Sequence, residues 1–260
     1  MIGSWWFGSA TPPGRSLPLA AVRRTRRAGV GAGALPAAGY DGQTLRELPE
    51  PITNWSFEPG HTEAAFRARH MIVTWVRGLF KDIHGKVELH RDEPLSSTFE
   101  GEIDARGLWT GEPDRDAHLR SPDFFDVETH PRITFRGRFT ERTGDTDYRA
   151  VAELTLRGVT QEVALDVSYL GSWSTPYWVG DENRGEMHRL GFEARTVLDR
   201  HDFGVSWQDE MPGGGVVVSN KIRLALDVEA ILDGDLERVG SGEAIYRPAG
   251  GAPGEPAAQA

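Results

Sequence analysis

YRAVAELTLRGVTQEVALDVSYL, residues 148 to 170, consists of two runs of alternating apolar and polar residues around the break RGVT (157 to 160). Leu154 and Leu156 share one face before the break, and Val163, Leu165, Val167 and Tyr169 share one after it. A period of two sends successive side chains to opposite faces of an extended chain. Each run is therefore a strand with one apolar face, and the pair is a hairpin.

The same period spreads outward from this hairpin. In TFEGEIDAR, residues 98 to 106, Phe99, Gly101, Ile103 and Ala105 alternate with Glu100, Glu102, Asp104 and Arg106. In RITFRGRF, Ile133, Phe135, Gly137 and Phe139 alternate with Arg132, Thr134, Arg136 and Arg138. HRLGFEAR, which contains Phe192, and NKIRLALDVEAI, with Ile222, Leu224, Leu226 and Val228 on one face, continue it. Adding the segments near Trp55, Ala64 to Val73 and Ile83 to Leu89 gives about eight or nine strands with no long helical pattern between them. Parallel pairing needs crossover helices, so the sheet is expected to be antiparallel. It must close on itself or fold over to bury its apolar side, and alternation alone is compatible with either a barrel or a sandwich.

The 260 residues carry 29 basic and 39 acidic side chains, a net charge of −10. Arg15, Arg23, Arg24, Arg26, Arg27 and Arg46 outnumber Asp41, Glu47 and Glu50 in the first fifty residues, so the remainder stands near −13. Such a body repels a phosphate backbone, and nucleic acid is not an expected partner. Without cysteine there is neither a disulfide framework nor a thiolate metal site. No apolar run approaches the length of a spanning helix, which predicts a soluble chain with no integral membrane span.

Residues 1 to 51 and 233 to 260 are rich in Gly, Ala and Pro and lack periodicity. They are expected to be a disordered basic tail and a flexible C-terminal tail flanking one folded domain at 52 to 232. RRTRRAGVGAGALPAAG, residues 23 to 39, has paired arginines but a weak, glycine-broken apolar run. The expected location is cytoplasmic, with export through a weak twin-arginine-like N-terminus as the alternative.

Between two of the strands lies RDAHLRSPDFFD, residues 115 to 126. Ser121 before Pro122 reads as an N-cap with proline at the first helical position, and Asp123 suits the first turn. The reading favoured is a short helical cap in which Arg115 and Asp116 pair with neighbours and Phe124 and Phe125 plug one end of the sheet. A hydrolase reading would recruit Asp114, Asp116, His118, His130, His201 and Asp202, but no dense ligand spacing or nucleophile motif accompanies them. His70 follows Ala64, Phe66 and Ala68 on an apolar face and is expected to be a hydrogen-bonded core residue, with head-group contact as the alternative. The glycines of DEMPGGGVVV, residues 209 to 218, precede a strand and read as a hairpin loop.

Four stretches together resemble the YceI-like family of lipid-binding proteins: WSFEPGHTEAAFRARHMIVTWVRGLFKDIHGKVEL (55 to 89), RDAHLRSPDFFDVETHPRITF (115 to 135), LTLRGVTQEVALDV (154 to 167) and RLGFEARTVLDRHDFGVSW (189 to 207). The resemblance spans residues 53 to 232 and implies an all-β fold: a single antiparallel lipocalin-like barrel of about eight strands with short helical caps. It further implies an internal cavity for a polyisoprenoid or fatty-acyl chain. The family's Arg-Asp-x-His-Leu motif falls on Arg115, Asp116, His118 and Leu119, and its Asp-Phe-Phe on Asp123, Phe124 and Phe125. Its Leu-Thr-Ile-x-Gly-Val-Thr turn falls on Leu154, Thr155, Leu156, Gly158, Val159 and Thr160, and its Asp-Phe-Gly on Asp202, Phe203 and Gly204.

Three features depart from the family, one of them the N-terminus, which it does not match. Arg106 to Trp109 stand where a Ser-Ser-Ile segment is usual, and WSTPYWVGDENRGEM (173 to 187) replaces shorter connections, so that Trp173, Tyr177 and Trp178 suggest a lid or mouth.

The expected function is non-catalytic binding or carriage of a long-chain amphiphile, with no cofactor, no metal and no catalytic residue. Phe66, His70, Phe99, Phe135, Phe139, Leu154, Leu156, Tyr169, Phe192 and Trp207 are the candidate cavity residues. Arg115, Asp116, His118, Phe124 and Phe125 form a mainly structural cap. The rivals are a barrel enzyme using His70 or His118 as acid or base on a bound lipid, and a ligand-free interaction module. Pairing into a homodimer is compatible with all three.

Overall fold

The computed structural model describes residues 45, 48, 50–179, 181–209, 211 and 214–239. All belong to a unit that runs from Gly42 to Ala260; the unit Met1–Asp41, with the twin-arginine-like stretch, lies outside the described residues, as does 240–260. Among the described residues ten strands follow one another: β1 (Ile52–Phe57), β2 (Glu63–His70), β3 (Thr74–Phe80), β4 (Ile83–His90), β5 (Thr98–Asp104), β6 (Arg132–Arg142), β7 (Asp147–Leu156), β8 (Val159–Val179), β9 (Glu182–Asp199) and β10 (Lys221–Leu232). The helices α1 (Pro113–Arg120) and α2 (Asp233–Val239) interrupt or follow them.

Every pairing is antiparallel, and the order is β1-β4-β5-β6-β7-β8-β9-β10-β2-β3 with a further β1–β10 pairing. That last contact decides between barrel and sandwich. The C-terminal half of β10 pairs with β1, Trp55 opposite Leu232 and Phe57 opposite Ala230, which closes eight strands into a barrel. Its N-terminal half pairs instead with β2, Leu224 opposite Phe66, and β3 extends that edge. Closure satisfies the outer edge of β1, while β3 remains an edge that makes one bridge, Leu79 to Trp109.

The β7–β8 hairpin turns on Arg157 and Gly158, with φ of 52° and 74°, between the paired Leu156 and Val159. Two successive left-handed residues make the tight turn whose twist matches the flanking strands. The segment expected as one strand from Ala64 to Val73 is a second hairpin. β2 ends at His70, Met71 and Ile72 adopt φ of 49° and 62°, and β3 begins at Thr74. A β-branched residue in this region is a rare, strained conformation, so the stretch carries no turn signature to read.

Glycines on the inner face set how closely the strands approach the aromatic interior. Phe66 faces Gly78, Phe99 faces Gly137 and Phe135 faces Gly101 across their ladders, and each ring lies over the glycine where a β-carbon would collide with it.

Three expectations need correction. The helix of the cap lies earlier than the Ser121–Pro122 signal suggested: Glu112 is the N-cap, its carboxylate accepting from the N–H groups of Asp114 and Arg115, Pro113 opens the helix, and Ser121 closes it. Glu112–Pro113 supplies the same cap-and-proline logic nine residues upstream. Leu45 and Leu48, assigned to the N-terminal tail, are 2% and 3% exposed and join the core, while Arg91 holds the Leu48 carbonyl. Residues 233 to 239 are helical and not a flexible tail. Asp235 accepts from the His188 N–H and ring, and Leu236 packs with Met187, Ile231 and Tyr177.

Candidate functional site

The inward side chains of the closed sheet leave a cavity of about 240 Å³. Its walls are aliphatic and aromatic, and among the described residues Thr196 and Arg200 are the only lining ones with polar side chains. A line of aromatic rings runs through it: Phe57 stacks on Phe135 at 6.4 Å, Phe135 and Phe139 each meet Phe99, and Phe139 meets Phe192 at 6.2 Å. A second group, Phe66, Phe80 and Phe125, packs mutually at 5.6–6.4 Å. An interior so lined offers water too few hydrogen-bond partners.

Of the residues expected in the cavity, Phe66, Phe99, Phe135, Phe139, Leu154, Leu156 and Phe192 line it. The other three lie elsewhere. Tyr169 is buried beside Phe192, with ring centroids 5.3 Å apart. Trp207 packs outside, edge to face with His118 at 4.9 Å and against Phe124 at 5.3 Å. His70 forms a bridge to Val218 at the end of β2; burial lowers its pKa from 6.5, and the Arg115 charge adds to this.

The cap joins the wall at one place. Leu119, Phe124 and Phe125 line the cavity, so the Asp-Phe-Phe stretch does face inward as a plug. The polar residues of the motif hold it there. Asp116, 5% exposed, accepts from Thr110 N–H and Thr110 Oγ1, and Arg115 donates to Thr110 Oγ1 and to its carbonyl. His118 Nε2 lies 2.9 Å from Asp123 Oδ2, and Arg157 donates to the Phe124 carbonyl at 2.9 Å.

The residues considered for a hydrolase are not brought together. His118 pairs with Asp123, the His130 ring sits under Gly158, and the Asp202 carbonyl accepts from Gln161. Among the described residues the one group with metal-compatible spacing is Glu58, His61 and Glu229, which the sequence did not suggest. Its charges are already engaged: His61 pairs with Glu58 at 2.6 Å, and Arg189 pairs with Glu229. Trp173, Tyr177 and Trp178 do not form a lid over the cavity. Trp173 stands opposite Arg189, which makes the last rung of β9 with β10 against Ile231, and Tyr177 and Trp178 belong to the part of the β8–β9 ribbon beyond it, where α2 packs instead.

Arg200 is the lining residue that the sequence reading passed over. It directly precedes His201 and the Asp202-Phe203-Gly204 motif, in a polar run that reads as surface, yet it is 4% exposed.

The sequence model of the YceI-like domain matches residues 55–230. A UPF0312 protein of Ectopseudomonas mendocina is 30% identical over 171 residues, covering 66% of this chain and 82% of its own. Among solved structures, BcnA of Burkholderia cenocepacia superposes with a TM-score of 0.54 at 16% identity, over 66% of this chain and 98% of that one. A YceI protein of Campylobacter jejuni does so with a TM-score of 0.50 at 23% identity, over 63% and 88%. At these identities the two structures speak for the fold.

Proposed function

We propose that this chain, which belongs to the YceI-like family, binds a long apolar chain of polyisoprenoid or fatty-acyl type inside its barrel and does not transform it. The observation that carries the reading is the cavity itself: about 240 Å³, lined by the barrel strands and by Leu119, Phe124 and Phe125 of the cap, with Thr196 and Arg200 alone polar among its described lining residues. Transfer of each CH₂ from water to such a space contributes roughly 0.8 kcal/mol. About fifteen of them give on the order of 12 kcal/mol, and subtracting at least about 4 kcal/mol for lost motional freedom leaves near-micromolar affinity. The cavity is smaller than the roughly 300–1,000 Å³ common for small-molecule sites, so a long chain must displace Phe rings or leave part of its length outside.

Catalysis has little to work with in this lining. Neither His70 nor His118 is among the cavity residues, and a hydroxyl and a guanidinium make no acid–base pair at neutral pH. Organic extraction of the purified protein followed by mass spectrometry tests the reading. A long-chain lipid near one per protein, recovered unchanged after incubation, is expected. Extraction of none, together with failure to bind added lipids, would make the interior a filled core; turnover of the bound lipid would make the protein an enzyme.

A further inference from the structure

We propose that Arg200 is a head-group subsite: it receives the oxyanion, a carboxylate or a phosphate, of an amphiphile whose chain occupies the barrel. The inference rests on the carriage reading above and names the class of molecule carried.

Three observations point to it. Among the described residues Arg200 is the only charged one lining the cavity, and it is 4% exposed. Its guanidinium is partly used by the fold, Nη1 donating to the Val205 carbonyl at 2.8 Å and Nε to the Ser219 carbonyl at 3.3 Å. Nη2 is buried and has no hydrogen-bond partner among the described residues. No described carboxylate forms an ion pair with this guanidinium; Asp199, its neighbour in the chain, instead pairs with Lys221 at 3.6 Å and accepts the His201 N–H.

A buried cation without a directly paired carboxylate is costly, because carbonyl dipoles and the more distant Asp199 charge replace only part of its hydration. Burial lowers the Arg200 pKa, yet a guanidinium stays protonated at neutral pH. An oxyanion arriving on an apolar chain would satisfy Nη2 and supply a directly paired charge in one contact, whereas a neutral head would satisfy only the donor. The position suits this role. Arg200 follows the end of β9 and bonds to the residue two before β10, so it marks one end of the barrel. Phe57, Phe192 and Val228, which line the cavity farther along the same ladders, mark where the tail would lie.

The test uses the full chain and four probes: tetradecanoate against methyl tetradecanoate, and farnesyl phosphate against farnesol, each titrated by displacement of a neutral fluorescent probe at low and high salt. Hydrogen bonds to charged groups support a preference of roughly tenfold to a hundredfold for each anion over its neutral twin. Because the guanidinium is buried, that ratio should persist at high salt; loss of the ratio would assign the preference to surface arginines and overturn the proposal. Arg200→Met should bring the ratio near one while the neutral twins bind as before. That variant also loses the bonds to Val205 and Ser219, so the wild-type ratios decide the matter if it fails to fold. Equal binding of both twins by the wild type would refute the subsite and leave carriage standing. Binding of none of the four would instead sink carriage itself. Displacement by inorganic phosphate alone would mark a plain anion site and also overturn the proposal.

Discussion

Arg115 and Asp116 are adjacent in the chain, and their side chains converge on one residue, Thr110. Asp116 Oδ1 accepts from Thr110 N–H at 2.9 Å and from its hydroxyl, while Arg115 Nε donates to the same hydroxyl at 2.8 Å. The link ties α1 to the loop after β5, which itself bridges to β3 through Trp109 and Leu79. Arg115→Ala and Asp116→Ala should each lower stability by about 1–3 kcal/mol, as expected when a partner of a charged hydrogen bond is lost. The double variant should lose clearly less than the sum, since either change breaks the shared node. Denaturant melts of the three variants measure this, and additive losses would show the two side chains acting independently.

Gly78 lies directly opposite Phe66, and a β-carbon there would fall 2.3 Å from Phe66 Cζ and 2.8 Å from Thr110 Cγ2. Both are side-chain atoms, so the ring can move, and the space available to it is the cavity. Gly78→Ala should therefore cost about 1–3 kcal/mol of stability, typical of overpacking. It should also weaken the longest bound chains more than short ones. Uniform weakening across chain lengths, or none, would place the Phe66 ring away from the ligand path.

On the outer face, Asp227 stands in register with Glu63 of β2 and Glu193 of β9. Desolvation raises its pKa from 3.8, the Glu193 and Glu63 charges raise it further, and Arg195 opposes them. A carboxylate whose folded pKa is raised binds protons more readily in the folded state. Its contribution is therefore present below the unfolded value of 3.8 and is lost as pH rises through the folded pKa. At neutral pH the ionised group is a cost. Asp227→Asn should stabilise the protein there by about 0.2–1 kcal/mol, the scale of exposed charge pairs, and the gain should vanish in acid. Thermal melts across pH decide it, and a gain that grows on acidification would reverse the sign of the argument.

Strands were legible in this sequence because one-sided burial leaves a period of two, as in 148 to 170. Closure was not, since the pairing of Trp55 with Leu232 joins the two ends of the domain and leaves no local trace. The β2–β3 turn was hidden because Met71 and Ile72 occupy left-handed conformations that sequence statistics assign to Gly or Asn. Side chains alternating inward could be named in advance as far as Phe66, Phe99, Phe135, Phe139 and Phe192. Tyr169 shares their period, but at its height the interior is already filled by Phe139, Tyr148 and Phe192. Arg200 was invisible for a different reason: its burial depends on the fold of the turn between β9 and β10, and arginine in a polar run ordinarily lies on the surface.

The central claim, that the barrel binds a chain by apolar transfer, is tested most directly by affinity against chain length. A series of saturated fatty acids of increasing length would be titrated against the purified protein by displacement of one fluorescent probe, with delipidated protein and fixed salt. Roughly 0.8 kcal/mol per buried CH₂ predicts an increase of about fourfold per added carbon, continuing until the cavity is full and then levelling. An affinity that does not change with length would contradict the claim.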